Sequence, residues 1–355
     1  MEKFDLLTLG EVLLRLSPPA SQRIMNSTTF DKHVGGAELN VAAGGALLGL
    51  NTGIISKLPD NGIGYFARNM IGFSGVKDDY LVYDAHKDSR LGLYYYEGGA
   101  HPIKPSITYD RKNTAMGTIS IEDFPKEMYE STRCFHISGI TLALNRQTRA
   151  TATTMIKRFK SAGALISFDV NFRGNLWSGE EAKSCIEEIL PLIDIFFCSE
   201  STARLTFKRT GSLKEMMQGF CDDYPVSIII STMRTVHSPK RHSFTSLLFD
   251  SRSNQFYEEE PYIDIEVIDR IGSGDAFVAG ALYGILTYEN DLLKAVEYGN
   301  AVSALKNTVA GDLLISTLRE TDCRTSFYMH LIFPNPIKIN KGQPSISWLN
   351  FSQTI

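Results

Sequence analysis

The chain has 355 residues, 43% of them hydrophobic, with 36 basic and 40 acidic side chains and a formal net charge of −4. This composition excludes a disordered chain, and the length suffices for one large domain or two smaller ones. No apolar run reaches the roughly 18–20 residues of a membrane span, and the charge balance advertises no nucleic-acid surface. The short cluster Lys240, Arg241, His242 reads as a solvated loop. The N-terminus carries Glu2, Asp5 and Glu11, with no basic segment ahead of its apolar run, so it does not read as a signal peptide. The five cysteines are scattered, without a C-x-x-C pair. That pattern suits a reducing cytoplasm and offers no zinc-site spacing.

In chain order, buried strands are predicted at residues 4–9, 53–58, 165–170, 193–198 and 226–231, each a short apolar run rich in β-formers. Helical character falls at 37–48, 148–162, 180–190, 276–286 and 291–307. Strand–helix alternation with continuously apolar strands predicts a mostly parallel sheet covered by helices on both faces. Two regions break the rhythm: residues 12–16 before Pro18-Pro19, and residues 91–96 with 107–109, the latter two joined by the turn-rich stretch GGAHPIKPS. Strands without intervening helices, added to an α/β core, predict a small β lid. Residues 323–355 show no sustained period and read as a C-terminal extension beyond a domain of residues 1–322. The lid segments are inserted at about residues 12–34 and 88–118 of that domain.

The strongest local signal is Asp269-Arg-Ile-Gly272-Ser273-Gly274-Asp275-Ala-Phe277. Two glycines permit a tight turn that exposes backbone N–H groups, and Asp275 then opens an apolar helix. Turn and helix dipole together make an anion site. A second signal is Gly35-Gly36-Ala37-Glu38-Leu39-Asn40, where paired glycines allow close approach of a ligand and Asn40 offers both donor and acceptor to a polyol. No G-x-x-x-x-G-K-[ST] loop, no dinucleotide fingerprint, no H-R-D or D-F-G tripeptide and no G-x-S-x-G elbow is present.

Taken together, these two motifs resemble the signatures of the ribokinase-like (PfkB) carbohydrate kinases, over roughly residues 4–320. Within that family, Gly10-Glu11-x-Leu13-x-Arg15, Leu58-Pro59-Asp60-Asn61, Tyr109-Asp110-Arg111 and Asp169-Val170-Asn171-Phe172-Arg173 are most similar to 2-keto-3-deoxygluconate kinases. The residues from Ala304-Leu305-Lys306 to Gly311-Asp312 point the same way. The resemblance implies a three-layer α/β/α fold and ATP-dependent phosphorylation of a sugar acid, with magnesium riding mainly on the nucleotide phosphates. Asp275 would be the general base, with Gly272, Ser273 and Gly274 forming the anion hole. By resemblance, Gly35, Gly36, Asn40, Tyr95, Tyr109, Arg111, Arg173 and Asp312 would hold the sugar acid. Asn171, Arg173, Ser199, Gly272, Gly274, Asn300, Ser303 and Gly311 would hold the nucleotide. Arg111 carries the substrate expectation, since an Arg fork returns two charge-assisted bonds to a carboxylate. No metal cage in the protein is expected. A homodimer through the lid is expected.

Two departures accompany the resemblance. The family's Asn-x-x-Glu motif after the strand ending near Phe197 is replaced by Ser199-Glu200-Ser201-Thr202, and its Gly-containing loop after strand 226–231 by Thr232-Met-Arg-Thr-Val-His237. A fructokinase or other sugar kinase of the family, or a non-catalytic sugar or nucleotide sensor, are the alternatives left open.

Overall fold

A computed structural model describes residues 3–19 and 22–322. The residues read as a C-terminal extension lie outside that range. Strand β1 (Phe4–Leu9) leads into β2 (Leu13–Ser17), β3 (Asp31–Gly35) and helix α1 (Ala37–Leu47). Then come β4 (Thr52–Pro59), α2 (Gly62–Phe73), β5 (Lys77–Asp84), β6 (Gly92–Glu97) and β7 (Ser106–Asp110). Alternation resumes with β8 (Thr132–Ser138), α3 (Gly139–Ala143), α4 (Arg146–Ser161), β9 (Leu165–Asp169), α5 (Gly179–Ile189) and β10 (Ile195–Phe197). After α6 (Glu200–Leu205) and α7 (Leu213–Asp223) follow β11 (Ile228–Ser238), β12 (Arg241–Asp250), β13 (Gln255–Glu258) and β14 (Tyr262–Glu266). Helices α8 (Ser273–Thr287) and α9 (Leu293–Asn307) complete the core.

The large sheet runs β13-β12-β11-β10-β9-β8-β1-β4-β5, with β14 pairing β12. From β5 to β11 all neighbours are parallel, and β12, β13 and β14 add an antiparallel edge. Alternate residues of each strand face opposite layers, as the pleat dictates. Leu7, Leu9, Phe135, Ile137, Ile166 and Phe168 pack with α4, α5 and α7. Leu6, Cys134, Ile195, Phe197, Ile228 and Ile230 pack with α8 and α9 on the other face. This is a ribokinase-like architecture: a mostly parallel sheet between two helical layers, with a separate small sheet ordered β3-β2-β6-β7.

Local chemistry explains the helix starts. Ser178 Oγ accepts from Glu181 N–H (3.1 Å) ahead of α5. A reciprocal pair between Ser212 and Glu215 opens α7. Each supplies an acceptor to N–H groups that the first turn leaves unpaired.

Two expectations are corrected. Residues 232–237 are not a loop but the continuation of β11, paired with β12 down to a bulge at Val236/Ser238. Their period-two pattern was masked by Arg234 and His237, polar residues on a strand whose far half leaves the core. Likewise, His242 is not in a solvated loop; it lies in β12 and is 3% exposed. Among the described residues, no helix is long and apolar enough to cross a membrane.

Candidate active site

The carboxyl ends of β9 and β10, the middle of β11 and the N-terminus of α8 open onto one cleft of about 690 Å³, covered on one side by β6 and β7. Clefts at the carboxyl ends of parallel strands are where open α/β sheets bind ligands. Here the chain supplies a helix N-terminus as well.

Helix α8 is capped by Gly272, whose φ of +83° lies in the left-handed region. A Cβ at this position would stand 2.2 Å from the Asp312 carbonyl oxygen, so only glycine fits. The Ser273 N–H is spent on the Arg270 carbonyl (3.2 Å). Those of Gly274 and Asp275 sit in the first turn, which has no intrahelical acceptors for them. Ser273 is thus held back, whereas the N–H groups of Gly274 and Asp275 are free of intrahelical acceptors and Gly272 supplies the bend. The helix dipole adds its positive end.

Asp275 stands half-buried beside these donors. Its Oδ2 accepts from Asn40 Nδ2 (2.7 Å) and its Oδ1 from Asn171 Nδ2 (3.4 Å). Asn171 takes a left-handed φ of 36°, which asparagine tolerates better than most residues. Burial pushes the Asp275 carboxyl above the usual range, opposed by the Asn40 hydrogen bond and the positive charge of Arg173. Asp169, at the end of β9, is pushed up to about 7, by burial first and then by the neighbouring charge of Asp275. A carboxylate raised above its ordinary range and oriented by two amides, as Asp275 is, is equipped to take a proton.

The remaining expected residues divide. Gly36, Asn40, Tyr109, Arg111, Asn171, Arg173 and Ser199 all line the cleft together with the α8 turn. Arg111 is not an open fork: its Nε donates to Glu11 Oε2 (2.9 Å) and its Nη2 bonds the same oxygen. Asp312 lines the cleft but is 3% exposed, and its carboxylate is taken by the Tyr94 hydroxyl and by Arg15 Nη1 (3.3 Å). Both of its carboxylate oxygens are thus already engaged within the protein.

Other residues fall away from the cleft. Tyr95 faces away, against Phe30, because alternation along β6 turns Tyr94 inward instead. Gly35 lies beneath Asp312, where a Cβ would meet that side chain at 2.7 Å. Asn300 is fully buried between Ser246 Oγ (2.8 Å) and Glu259 (3.1 Å), on the α9 face against β12. Ser303, one turn on, is equally buried. Gly311 spends its N–H on Asp269 Oδ2 (3.1 Å). Five charged cleft residues were not expected from the sequence: Glu11, Glu38, Asp169, Arg234 and Arg270. All but Arg234 stand within the quoted motifs, so their motif positions were the available signal.

A helix N-terminus beside a raised carboxylate, in a cleft roofed by a small sheet, is suited to holding an anion next to a proton acceptor. The chain belongs to the pfkB family of carbohydrate kinases, whose sequence pattern matches residues 3–317. It is 31% identical over 318 residues to a 2-dehydro-3-deoxygalactonokinase of Haloferax volcanii, covering 90% of this chain and 95% of that protein. It is 28% identical over 322 residues to the 2-dehydro-3-deoxygluconokinase of Bacillus subtilis, covering 88% and 92%. The crystal structure of a 2-dehydro-3-deoxygluconokinase from Thermotoga maritima superposes with a TM-score of 0.85 at 30% identity, covering 91% of this chain and 99% of that one. The protein is thus a sugar kinase, and ATP is the donor used by its family.

Proposed function

We propose that this kinase transfers the γ-phosphoryl group of ATP to the terminal hydroxyl of 2-keto-3-deoxygluconate, giving the 6-phosphate. Asp275 takes the hydroxyl proton as the oxygen bonds to phosphorus; the bond from phosphorus to the bridging oxygen breaks, and ADP leaves. The observation that carries this reading is the Asp275 carboxylate, held by Asn40 and Asn171 beside the N–H groups of Gly274 and Asp275. Asn40 Oδ1 is buried with no hydrogen-bond partner, an acceptor that a sugar hydroxyl would satisfy. The substrate carboxylate is assigned to Arg173, exposed at the cleft, and to the unspent edge of Arg111. Asp169 is a hard oxygen donor facing the same cleft, which fits magnesium carried largely by the phosphates. When bound, that ion neutralises charge on the transferring group.

Purified protein with ATP, magnesium and a panel of 2-keto-3-deoxygluconate, its galactonate epimer, fructose and ribose tests the substrate. Turnover of the neutral sugars alone would remove the sugar-acid assignment. The pairing of Arg111 with Glu11 favours a second reading, a kinase for a neutral sugar, because Glu11 already neutralises that guanidinium. The same panel separates the two. The reading includes a dimer through the small sheet: β7 is its edge strand, exposed at all five positions. Sedimentation of a purely monomeric species at micromolar concentration would remove that part.

A further inference from the structure

We propose that Arg234 and Arg270 together form a clamp for the polyphosphate of the donor nucleotide, a role that rests on the kinase reading above. Both side chains line the cleft, Arg234 from β11 and Arg270 from the turn that leads into α8.

The cleft is lined by Arg111, Arg173, Arg234 and Arg270, with Arg15 bonded to its lining residue Asp312. Arg15 and Arg111 are neutralised by carboxylates, Arg15 by Asp269 (2.6 Å) and Asp312, and Arg111 by Glu11. Arg234 and Arg270 have no carboxylate partner among the described residues, and the Nε of Arg270 is buried with no hydrogen-bond partner at all. A buried N–H left unpaired is costly, and more so on a charged group, so an acceptor is missing. The two guanidinium groups also feel each other. That of Arg234 is lowered from its usual range by desolvation and then by the charge of Arg270. His242, paired in register with Val236 behind them, is lowered by burial and then by both arginines, and its Nδ1 has no partner. The region is a patch of like charge without internal compensation.

The missing partner must carry several negative charges. A single sugar carboxylate neutralises one guanidinium and has Arg173 and Arg111 within the same cleft. A nucleoside triphosphate brings about four charges and many acceptor oxygens, which suits two planar forks. Arg270 also lies three residues before the first residue of α8, which places it beside an anion bound at that helix N-terminus, while the adjacent Asp269 carboxylate is spent on Arg15.

Calorimetric titration of the full chain with adenosine, AMP, ADP, AMP-PNP and 2-keto-3-deoxygluconate in the presence of magnesium tests the assignment. Wild-type affinity is expected to climb with phosphate number. Arg234→Gln and Arg270→Gln should each weaken AMP-PNP binding about tenfold and leave adenosine binding unchanged, with a shallower salt dependence. Arg234→Lys should recover part of the loss. Unchanged AMP-PNP affinity would show Arg234 to be a solvated surface side chain only. An equal loss for adenosine would show a purely structural role, and a loss confined to the sugar acid would move the pair to the other substrate. Either result overturns the clamp. Should Arg270→Gln fail to fold, Arg234→Gln decides alone, since Arg234 lies on the exposed half of β11. A chain that binds AMP-PNP through the pair yet phosphorylates none of the panel sinks the kinase substrate reading and spares the clamp. Turnover with unchanged KM for ATP in both variants does the reverse.

Discussion

Asp275 is held by two amides on different elements, Asn40 from α1 and Asn171 from the loop after β9. Asp275→Asn keeps the shape and removes the base, so kcat should fall by about 10²–10⁴-fold while sugar affinity is retained. Unchanged turnover in that variant would falsify the base assignment. Because the carboxyl is raised, its basic form is populated only above the ordinary aspartate range near pH 4. The acid limb of kcat/KM should therefore lie above that value, and a pH–rate profile still flat down to pH 4 would contradict the raised carboxyl. Asp169 makes a separate prediction. Its folded-state value of about 7 exceeds the unfolded one, so folding favours the protonated form and stability falls as pH rises from about 4 to 7. Asp169→Asn removes that cost. Its gain in melting temperature, measured without metal, should be larger at pH 8 than at pH 5. Arg111→Ala strands the 2%-exposed carboxylate of Glu11 and should destabilise by about 3–5 kcal/mol in urea denaturation. Changing Glu11 to Gln in the same chain should restore most of it. At this scale the placing of Asp275 beside the turn was readable through the motif resemblance, because a Gly-Ser-Gly turn before an acid is by itself also an ordinary helix start. Tyr94 was not, because three consecutive tyrosines conceal which phase of the strand faces inward.

Helix α8 must deliver its first turn to the cleft while lying buried nearly throughout, and its glycines make that possible. A Cβ on Gly280 would stand 2.4 Å from the Tyr298 carbonyl oxygen, and one on Gly284 would stand 2.6 Å from Ala295 Cα. Backbone against backbone cannot yield as a side chain can. Gly284→Ala should therefore push α8 from α9, cost about 1–3 kcal/mol in chemical denaturation, and lower kcat by displacing Asp275. A variant of wild-type stability and activity would show that the two helices slide freely. The element pattern was readable in α8, α9, β1 and β4, which are buried along their length, but not in β8, equally buried yet interrupted by Arg133 and His136. It was not readable in α2, α6 and α7, or in the antiparallel edge, where shorter elements bury only part of their surface and mix polar residues into the pattern. Strand β11 shows the mechanism: Ile228, Ile229 and Ile230 advertise it, and its second half leaves the core and loses the signal.

At the scale of the molecule, the small sheet is tied to the α8 turn by buried polar bonds. Arg15 of β2 reaches Asp269 Oδ2 (2.6 Å) and Asp312 Oδ2 (3.3 Å), and Tyr94 of β6 holds the other Asp312 oxygen. Asp269 in turn accepts from the N–H groups of Ile271 (3.0 Å) and Gly311 (3.1 Å). The pairing of β2 with β6 in parallel, across some eighty intervening residues, has no local sequence signal, because register between distant strands is decided by packing. The sequence pattern alone marked these segments only as strands outside the alternation.

Lys306 completes this cluster. Its ammonium is fully buried, lowered from its usual range by desolvation, and donates to the carbonyl oxygens of Asp269 and Val309 at 3.3 Å each. Arg15, Lys306, Asp269 and Asp312 thus sum to zero, two positive and two negative. Removal of any one leaves a net charge sealed from water, whereas replacement of one opposite pair leaves none. These four positions are then expected to vary as matched pairs among descendants of this chain, not singly. A library randomising Arg15 and Asp312 together should yield folded survivors whose charges cancel, and few from either position alone.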